Sequence, residues 1–201
     1  MTEPRPARIG IFGGSFDPIH VGHLLMADVA LNECGLERIL FIPASAPPHK
    51  PQGSSASPEQ RWEMVQMAVS DHSGFMASDM EMHRPGASFT LDTLTELRTH
   101  PEWKDARFSL LLGSDMLLDF IHWKQPDDIL EQADLLIADR PGFDLRDAEE
   151  RFLRRAAFVK TPRLDISSSE IRRRVREGKS IRYWVPVCVE RFILKTGIYR
   201  L

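Results

Sequence analysis

The chain has 201 residues, 42% of them hydrophobic and 27% charged, which suits one compact domain able to bury a core. Its 26 Lys plus Arg stand against 29 Asp plus Glu, a formal net charge of -3 that argues against a general nucleic-acid coat. Cys34 and Cys188 lack CxxC spacing and fit a reducing compartment. No apolar run nears the ~20 residues that cross a bilayer, and the polar start, Met1 to Arg8, lacks a signal peptide's apolar core. The expected setting is the cytoplasm, with no membrane and no nucleic-acid partner.

Arg8 to Phe12 reads as a short buried strand ending in Gly13-Gly14. From about Val21 to Cys34 the apolar residues favour a helix, with Gly35 at the usual C-cap place. Arg38 to Pro43 is a second strand, completing a βαβ unit and implying a parallel sheet. Pro43 to Pro58, crowded with Pro, Ser and Ala, reads on composition as a solvated loop.

A helix is predicted from Pro58 through Ala68 and another from Ser88 to Leu97. Phe108 to Gly113 and Ala133 to Ala138 are further strands, and Ala157 to Val159 a short one. The last forty residues are basic and helical in pattern. The expected architecture is a doubly wound parallel α/β sheet in a single domain, residues 1–201, with a small helical portion from about 160 to 201. Three strands end at Gly13-Gly14, at the Pro43 loop and at Gly113-Ser114-Asp115. Ligands bind outside the carboxyl ends of strands in open parallel sheets, so these segments are expected to converge.

The sharpest chemical signal runs from Gly13 through Gly14, Ser15, Phe16, Asp17, Pro18, Ile19, His20, Val21 and Gly22 to His23. Two glycines after a strand let backbone amides approach an anion and make a turn that a Cβ would obstruct. The segment lacks the GxGxxG spacing of dinucleotide sites and the Lys of a P-loop. His20 and His23, three apart at a helix opening, can face one side, and Gly22 keeps the surface between them low. A lone His here would more often be a capping or surface residue, and an HxxH pair can be half of a zinc site. No further ligand stands at zinc spacing nearby, and it is the conjunction of all these features that points to function.

The second signal is Ser167-Ser168-Ser169-Glu170-Ile171-Arg172. Ser167 and Glu170 match a capping box, so a helix is expected to begin here. A plain capped basic helix would account for one hydroxyl. Three hydroxyls, free N–H groups and the Arg172 guanidinium would equally make a polyphosphate site.

Together the two segments resemble the HxGH nucleotidyltransferase superfamily. Further stretches are similar to its bacterial nicotinate-nucleotide adenylyltransferase branch: Phe41-Ile42-Pro43 leading to Pro47-Pro48-His49-Lys50, Ser88 to Leu94, Gly113 to Met116 with Trp123, Arg140-Pro141-Gly142, and Ile181 to Pro186. The match runs from about Arg8 to Leu201. Ser15 and Ser169 stand where Thr is usual, Phe89 where Tyr is common, and Ala44 or Ser45 where some members carry Asn.

The resemblance implies adenylyl transfer from ATP to nicotinate mononucleotide, with Mg²⁺ accompanying ATP and no dedicated protein metal site. It implies that His20, His23 and Arg172 are catalytic. Gly13, Gly14, Ser15, Phe16, Gly22, Gly113, Asp115, Ser168 and Ser169 would bind ATP. Thr90, Trp123, Lys50 and Arg140 would bind the acceptor, although Trp123 also suits a core aromatic. Phosphopantetheine adenylyltransferase and a non-catalytic nucleotide sensor are the alternatives. An RNA-binding role for Arg172 to Arg182 lacks an aromatic platform. The oligomeric state stays open.

Overall fold

The computed structural model describes residues 5–48, 53–138, 144–162 and 164–200. Six strands, β1 (Arg8–Gly14), β2 (Arg38–Pro43), β3 (Phe75–Ala77), β4 (Arg107–Gly113), β5 (Ala133–Ala138) and β6 (Ala156–Val159), form one sheet in the order β3-β2-β1-β4-β5-β6. The pairs β1–β4, β4–β5 and β5–β6 are parallel. The order reverses between β1 and β4, which is the doubly wound arrangement expected from the alternating strand and helix signals.

Among the described residues eight α-helices connect and follow the strands: α1 (Val21–Glu33), α2 (Pro58–Val69), α3 (Thr90–Thr99), α4 (Ser114–Asp119), α5 (Pro126–Gln132), α6 (Glu150–Leu153), α7 (Ser168–Arg176) and α8 (Val187–Thr196). Contacts gather into two compact units. One takes Met1–Phe12, Ala27–Leu40 and Phe89–Arg163; the other takes Gly13–Met26, Phe41–Ser88 and Leu164–Leu201.

In the first unit β4 and β5 are near-continuous apolar runs because parallel strands are covered on both faces. Leu110, Leu111, Leu135 and Ile137 are buried there with Ile9, Ile11, Leu94 and Phe120. Gly10 lets β1 lie close to its neighbour, since a Cβ would stand 2.9 Å from Ile39 Cδ1 and 3.0 Å from Leu36 Cδ1. Gly35, with φ of 62°, ends α1 in the left-handed conformation that a glycine C-cap supplies, and Leu36 N donates back to Leu31 O.

In the second unit Phe16, Phe41, Ile42, Met64, Val65, Ile171, Val189 and Ile193 form the core. Helix α2 opens on a full capping box: Ser57 Oγ accepts from Gln60 N at 3.3 Å, and Gln60 Oε1 accepts from Ser57 N at 2.9 Å.

Three readings from sequence change. The helix predicted from Ser88 begins at Thr90, because Phe89 is extended, with φ of -96° and ψ of 134°. The capping box at Ser167 is half formed. Ser167 Oγ accepts from Glu170 N at 3.2 Å, but the Glu170 carboxylate turns to Arg173 at 2.7 and 2.8 Å. Strand β3 and the short helices α4, α5 and α6 were not anticipated, being too brief to display a period.

Candidate active site

The first motif occupies the end of β1 and the start of α1. Neither Gly13 nor Gly14 has a positive φ; the left-handed residue of the turn is Phe16, with φ of 43°. A side chain there costs roughly 1 kcal/mol of strain. Burial of the ring offsets it: Phe16 is 2% exposed, meets Phe41 at 5.9 Å and stands edge-on to His23 at 5.1 Å. A Cβ on Gly14 would press the Phe16 ring at 3.2 Å, whereas one on Gly13 would meet no protein atom within 4 Å. The bare surface at Gly13 is thus not required by packing.

His20 and His23 lie ring on ring, with centroids 3.6 Å apart and planes at 20°. His20 N donates to His23 Nδ1 at 3.2 Å, which orients the second ring. His20 is 3% exposed. Gly22 leaves room for it, since a Cβ would come within 3.1 Å of His20 Nδ1. The N–H of Val21, first in α1, is already bonded to Trp184 O at 3.0 Å, so this helix start offers less to an anion than its position suggests.

The second motif, at the start of α7, is attached directly to the first. Ser168 Oγ donates to Pro18 O at 2.9 Å, and Arg172 Nη1 donates to Asp17 O at 2.8 Å. Arg172 Nη2 donates to Ser169 Oγ at 3.2 Å. Because Ser167 caps Glu170, the N–H groups of Ser168 and Ser169 are left without an intrahelical acceptor. A nine-residue helix with two open amides and a guanidinium beside them can take a phosphate.

Sequence reasoning missed two residues of this unit. Arg61, 1% exposed, donates to Ser15 O at 2.9 Å, Ala44 O at 2.6 Å and Ser45 O at 3.0 Å. It ties the turn after β1 to the loop after β2. Burial pushes its guanidinium below the ordinary arginine value, with the Asp17 charge opposing. Asp17 is a buried carboxylate that accepts from Ser55 N at 2.7 Å, Ala56 N at 3.1 Å and Tyr199 Oη at 2.7 Å. A polar letter in a helical pattern carries no signal of burial, so Arg61 was invisible; the Asp-Pro within the motif was the one available hint.

In the other unit, Gly113 ends β4 and Asp115 stands in the first turn of α4. Thr90 is the first residue of α3. Lys124 Nζ bonds both Asp92 oxygens at 2.8 and 3.1 Å and lies 4.9 Å from the Phe89 ring centre, tying the start of α3 to the segment carrying Trp123. Trp123 is half-buried against Phe120, with centroids 5.1 Å apart. Lys50 and Arg140 lie outside the described residues. Among the described residues no group of three or more His, Cys, Asp or Glu is gathered to hold a metal ion. Among the described residues no helix is long and apolar enough to cross a membrane.

An alternating α/β sheet with paired histidines after its first strand and a serine-arginine helix start defines a nucleotidyltransferase; residues 11–174 match the family model described as cytidylyltransferase-like. A relative named nicotinate-nucleotide adenylyltransferase from Desulfitobacterium hafniense is 43% identical over 203 residues, covering 98% of this chain and 97% of its own length. One of the same name from Thermus thermophilus is 45% identical, covering 96% of this chain and 100% of its own. In fold, the chain is similar to the Plasmodium falciparum nicotinic acid mononucleotide adenylyltransferase complexed with NaAD, with a TM-score of 0.79 at 23% identity over 96% of this chain and 97% of that one. The chain belongs to the nicotinate-nucleotide adenylyltransferase family.

Proposed function

We propose that this chain transfers AMP from ATP to nicotinate mononucleotide, releasing pyrophosphate and forming nicotinate adenine dinucleotide. The observation that carries the reading is the attachment of α7 to the first motif: Arg172 and Ser168 are bonded to Asp17 O and Pro18 O, in the same unit as the stacked His20–His23 pair. Family membership supports the choice of acceptor.

In this reaction a 5′-phosphate oxygen of the acceptor bonds to the α-phosphorus of ATP as the bond to pyrophosphate breaks. The attacking oxygen is already ionised near neutral pH, so no general base is needed. What the protein supplies is alignment and neutralisation of charge moving onto the leaving group. His20 and His23 bind at the phosphate under attack. Arg172 and the open amides of Ser168 and Ser169 take the outer phosphates. Ser168 serves by its backbone, because its hydroxyl proton is committed to Pro18 O. The bare backbone at Gly13 and Gly14, with Ser15, Phe16 and Gly22, shapes the bed for the nucleotide.

Gly113 and Asp115 hold ribose hydroxyls, for which a carboxylate suits because it accepts two hydrogen bonds. The first turn of α3 with Thr90, and the ring of Trp123, receive the pyridine carboxylate and ring; Lys50 and Arg140 are phosphate partners of the acceptor. Mg²⁺ brought by ATP would be held mainly by phosphate oxygens and water rather than by protein carboxylates, and would lower the charge of the phosphates. Pyrophosphate release should be measured with ATP, Mg²⁺ and, in separate arms, nicotinate mononucleotide, nicotinamide mononucleotide or phosphopantetheine. Rapid release is expected only with the first. Release with phosphopantetheine alone would assign the sister reaction, and none in any arm would leave a nucleotide sensor.

A further inference from the structure

The carboxylate of Asp17, 1% exposed, is the meeting point of three segments far apart in sequence. Oδ1 accepts the Tyr199 hydroxyl at 2.7 Å and Ala56 N at 3.1 Å, and Oδ2 accepts Ser55 N at 2.7 Å. The Arg172 guanidinium stands 3.8 Å from Oδ2, yet its shorter bond, 2.8 Å, goes to the Asp17 carbonyl oxygen. Next along the chain, Pro18 O receives Ser168 Oγ at 2.9 Å. Two consecutive backbone carbonyls thus hold the two α7 side chains, and the intervening carboxylate is held by Tyr199, Ser55 and Ala56.

We infer that Tyr199 is a positioning residue for the outer-phosphate site: by occupying Asp17 Oδ1 it keeps the carboxylate from capturing Arg172. The inference rests on the reading of Arg172 and Ser168 as phosphate binders. A buried carboxylate seeks charge-assisted partners, and the Arg172 guanidinium stands 3.8 Å from Oδ2. Arg61 is fixed on three carbonyl oxygens. With Tyr199 in place neutral donors engage Oδ1 twice and Oδ2 once, Arg172 keeps to the Asp17 carbonyl, and its Nη2, which gives one N–H to Ser169 Oγ, has a second N–H to offer a ligand. Without the tyrosine hydroxyl the carboxylate rotates toward Arg172, drawing the guanidinium inward. Tyr199 is 7% exposed and lies near the chain's end, beyond the helix that carries Arg172. Burial, and next the Asp17 charge, push its phenol well above the ordinary tyrosine value, so the proton that Asp17 receives stays in place.

Tyr199→Phe keeps the ring and removes only the donor. The KM for ATP is expected to rise about tenfold, the scale of one charge-assisted hydrogen bond. The KM for nicotinate mononucleotide should stay within about twofold, since that ligand makes no use of the outer-phosphate clamp. Inhibition by inorganic tripolyphosphate should weaken by the same factor as ATP. Ser55→Pro, which removes the N–H that occupies Oδ2 and so frees the oxygen facing Arg172, should give the same ATP-specific loss. In an Arg172→Ala background the effect of Tyr199→Phe on ATP and tripolyphosphate affinity should largely vanish, because no cation is left for the carboxylate to capture.

Unchanged ATP and tripolyphosphate affinity in whichever of the two variants folds would overturn the proposal. So would equal losses for both substrates, which a general loosening of the fold produces. Calorimetric titration of ATP alone, run on the same proteins, separates this inference from the choice of acceptor: failure of adenylyl transfer in the wild type would strike the function, not the Tyr199 link.

Discussion

Phe16 shows how local cost and local function meet in one residue. Its backbone takes the left-handed conformation that glycine usually supplies, while two true glycines beside it do not. The buried ring repays the strain and braces the edge of His23. His23 is therefore oriented from two sides, by Phe16 and by the His20 amide. His23→Ala should lower turnover about 10²–10³-fold, the usual loss when one preorganised donor at a developing charge is removed. Steady-state kinetics on the folded variant checks this, and near-normal turnover would remove His23 from the reaction. Thr90 makes a separate argument about specificity. A carboxylate only accepts hydrogen bonds, whereas an amide also presents two N–H donors. A helix start carrying a hydroxyl and open amides is donor-rich, so it favours the acid over the amide. Thr90→Val preserves shape and should cut the preference for nicotinate over nicotinamide mononucleotide about tenfold, read as the ratio of kcat/KM values. An unchanged ratio would place the selectivity elsewhere.

At the scale of elements, the long parallel strands were legible because burial on both faces writes a continuous apolar run, as in Leu110-Leu111-Leu112 and Leu135-Leu136-Ile137. Helix α1 was legible from its apolar spacing and from Gly35, and α2 from the proline at its start. Strand β3 has three residues and α6 four, too few for any periodicity to register. The role of α2 was hidden for a different reason. Its Arg61 points into the protein and binds three carbonyl oxygens of two loops, a job that could not be told from solvation by its letter alone. Arg61→Met keeps much of the volume but leaves those oxygens without their donor. Each buried unsatisfied group costs about 1–3 kcal/mol, so a loss of roughly 3–5 kcal/mol is expected in urea denaturation. Glu63→Ala, on the exposed face of the same helix, should change stability by less than about 0.5 kcal/mol. Equal effects of the two would mean that the loops do not depend on Arg61.

Over the whole molecule, the doubly wound parallel sheet was readable from the alternation of strand and helix signals, and the two motifs from their short contiguous stretches. Their attachment to each other through Asp17 was not, because it joins residues up to 182 apart and leaves no periodic trace. That long-range joint has a pH signature. The folded state holds the Tyr199 phenol neutral, with its pKa raised above the ordinary value near 10 by burial and by the Asp17 carboxylate. Below that ordinary value both folded and unfolded chains keep the proton, and the stabilisation is fully present. Above it the unfolded chain gives up the proton while the folded one keeps it, so unfolding is favoured increasingly as pH rises. One such group contributes a slope of up to about 1.4 kcal/mol per pH unit. Urea midpoints measured at several pH values above about 10 should therefore fall more steeply for the wild type than for Tyr199→Phe, with the two curves parallel below that point. The chain has two tyrosines, Tyr183 and Tyr199, so the wild-type minus Tyr199→Phe difference in tyrosinate absorbance isolates the buried one. That difference should appear together with loss of native circular dichroism. A Tyr199 that ionises while the fold is intact would show that its proton is not held by Asp17.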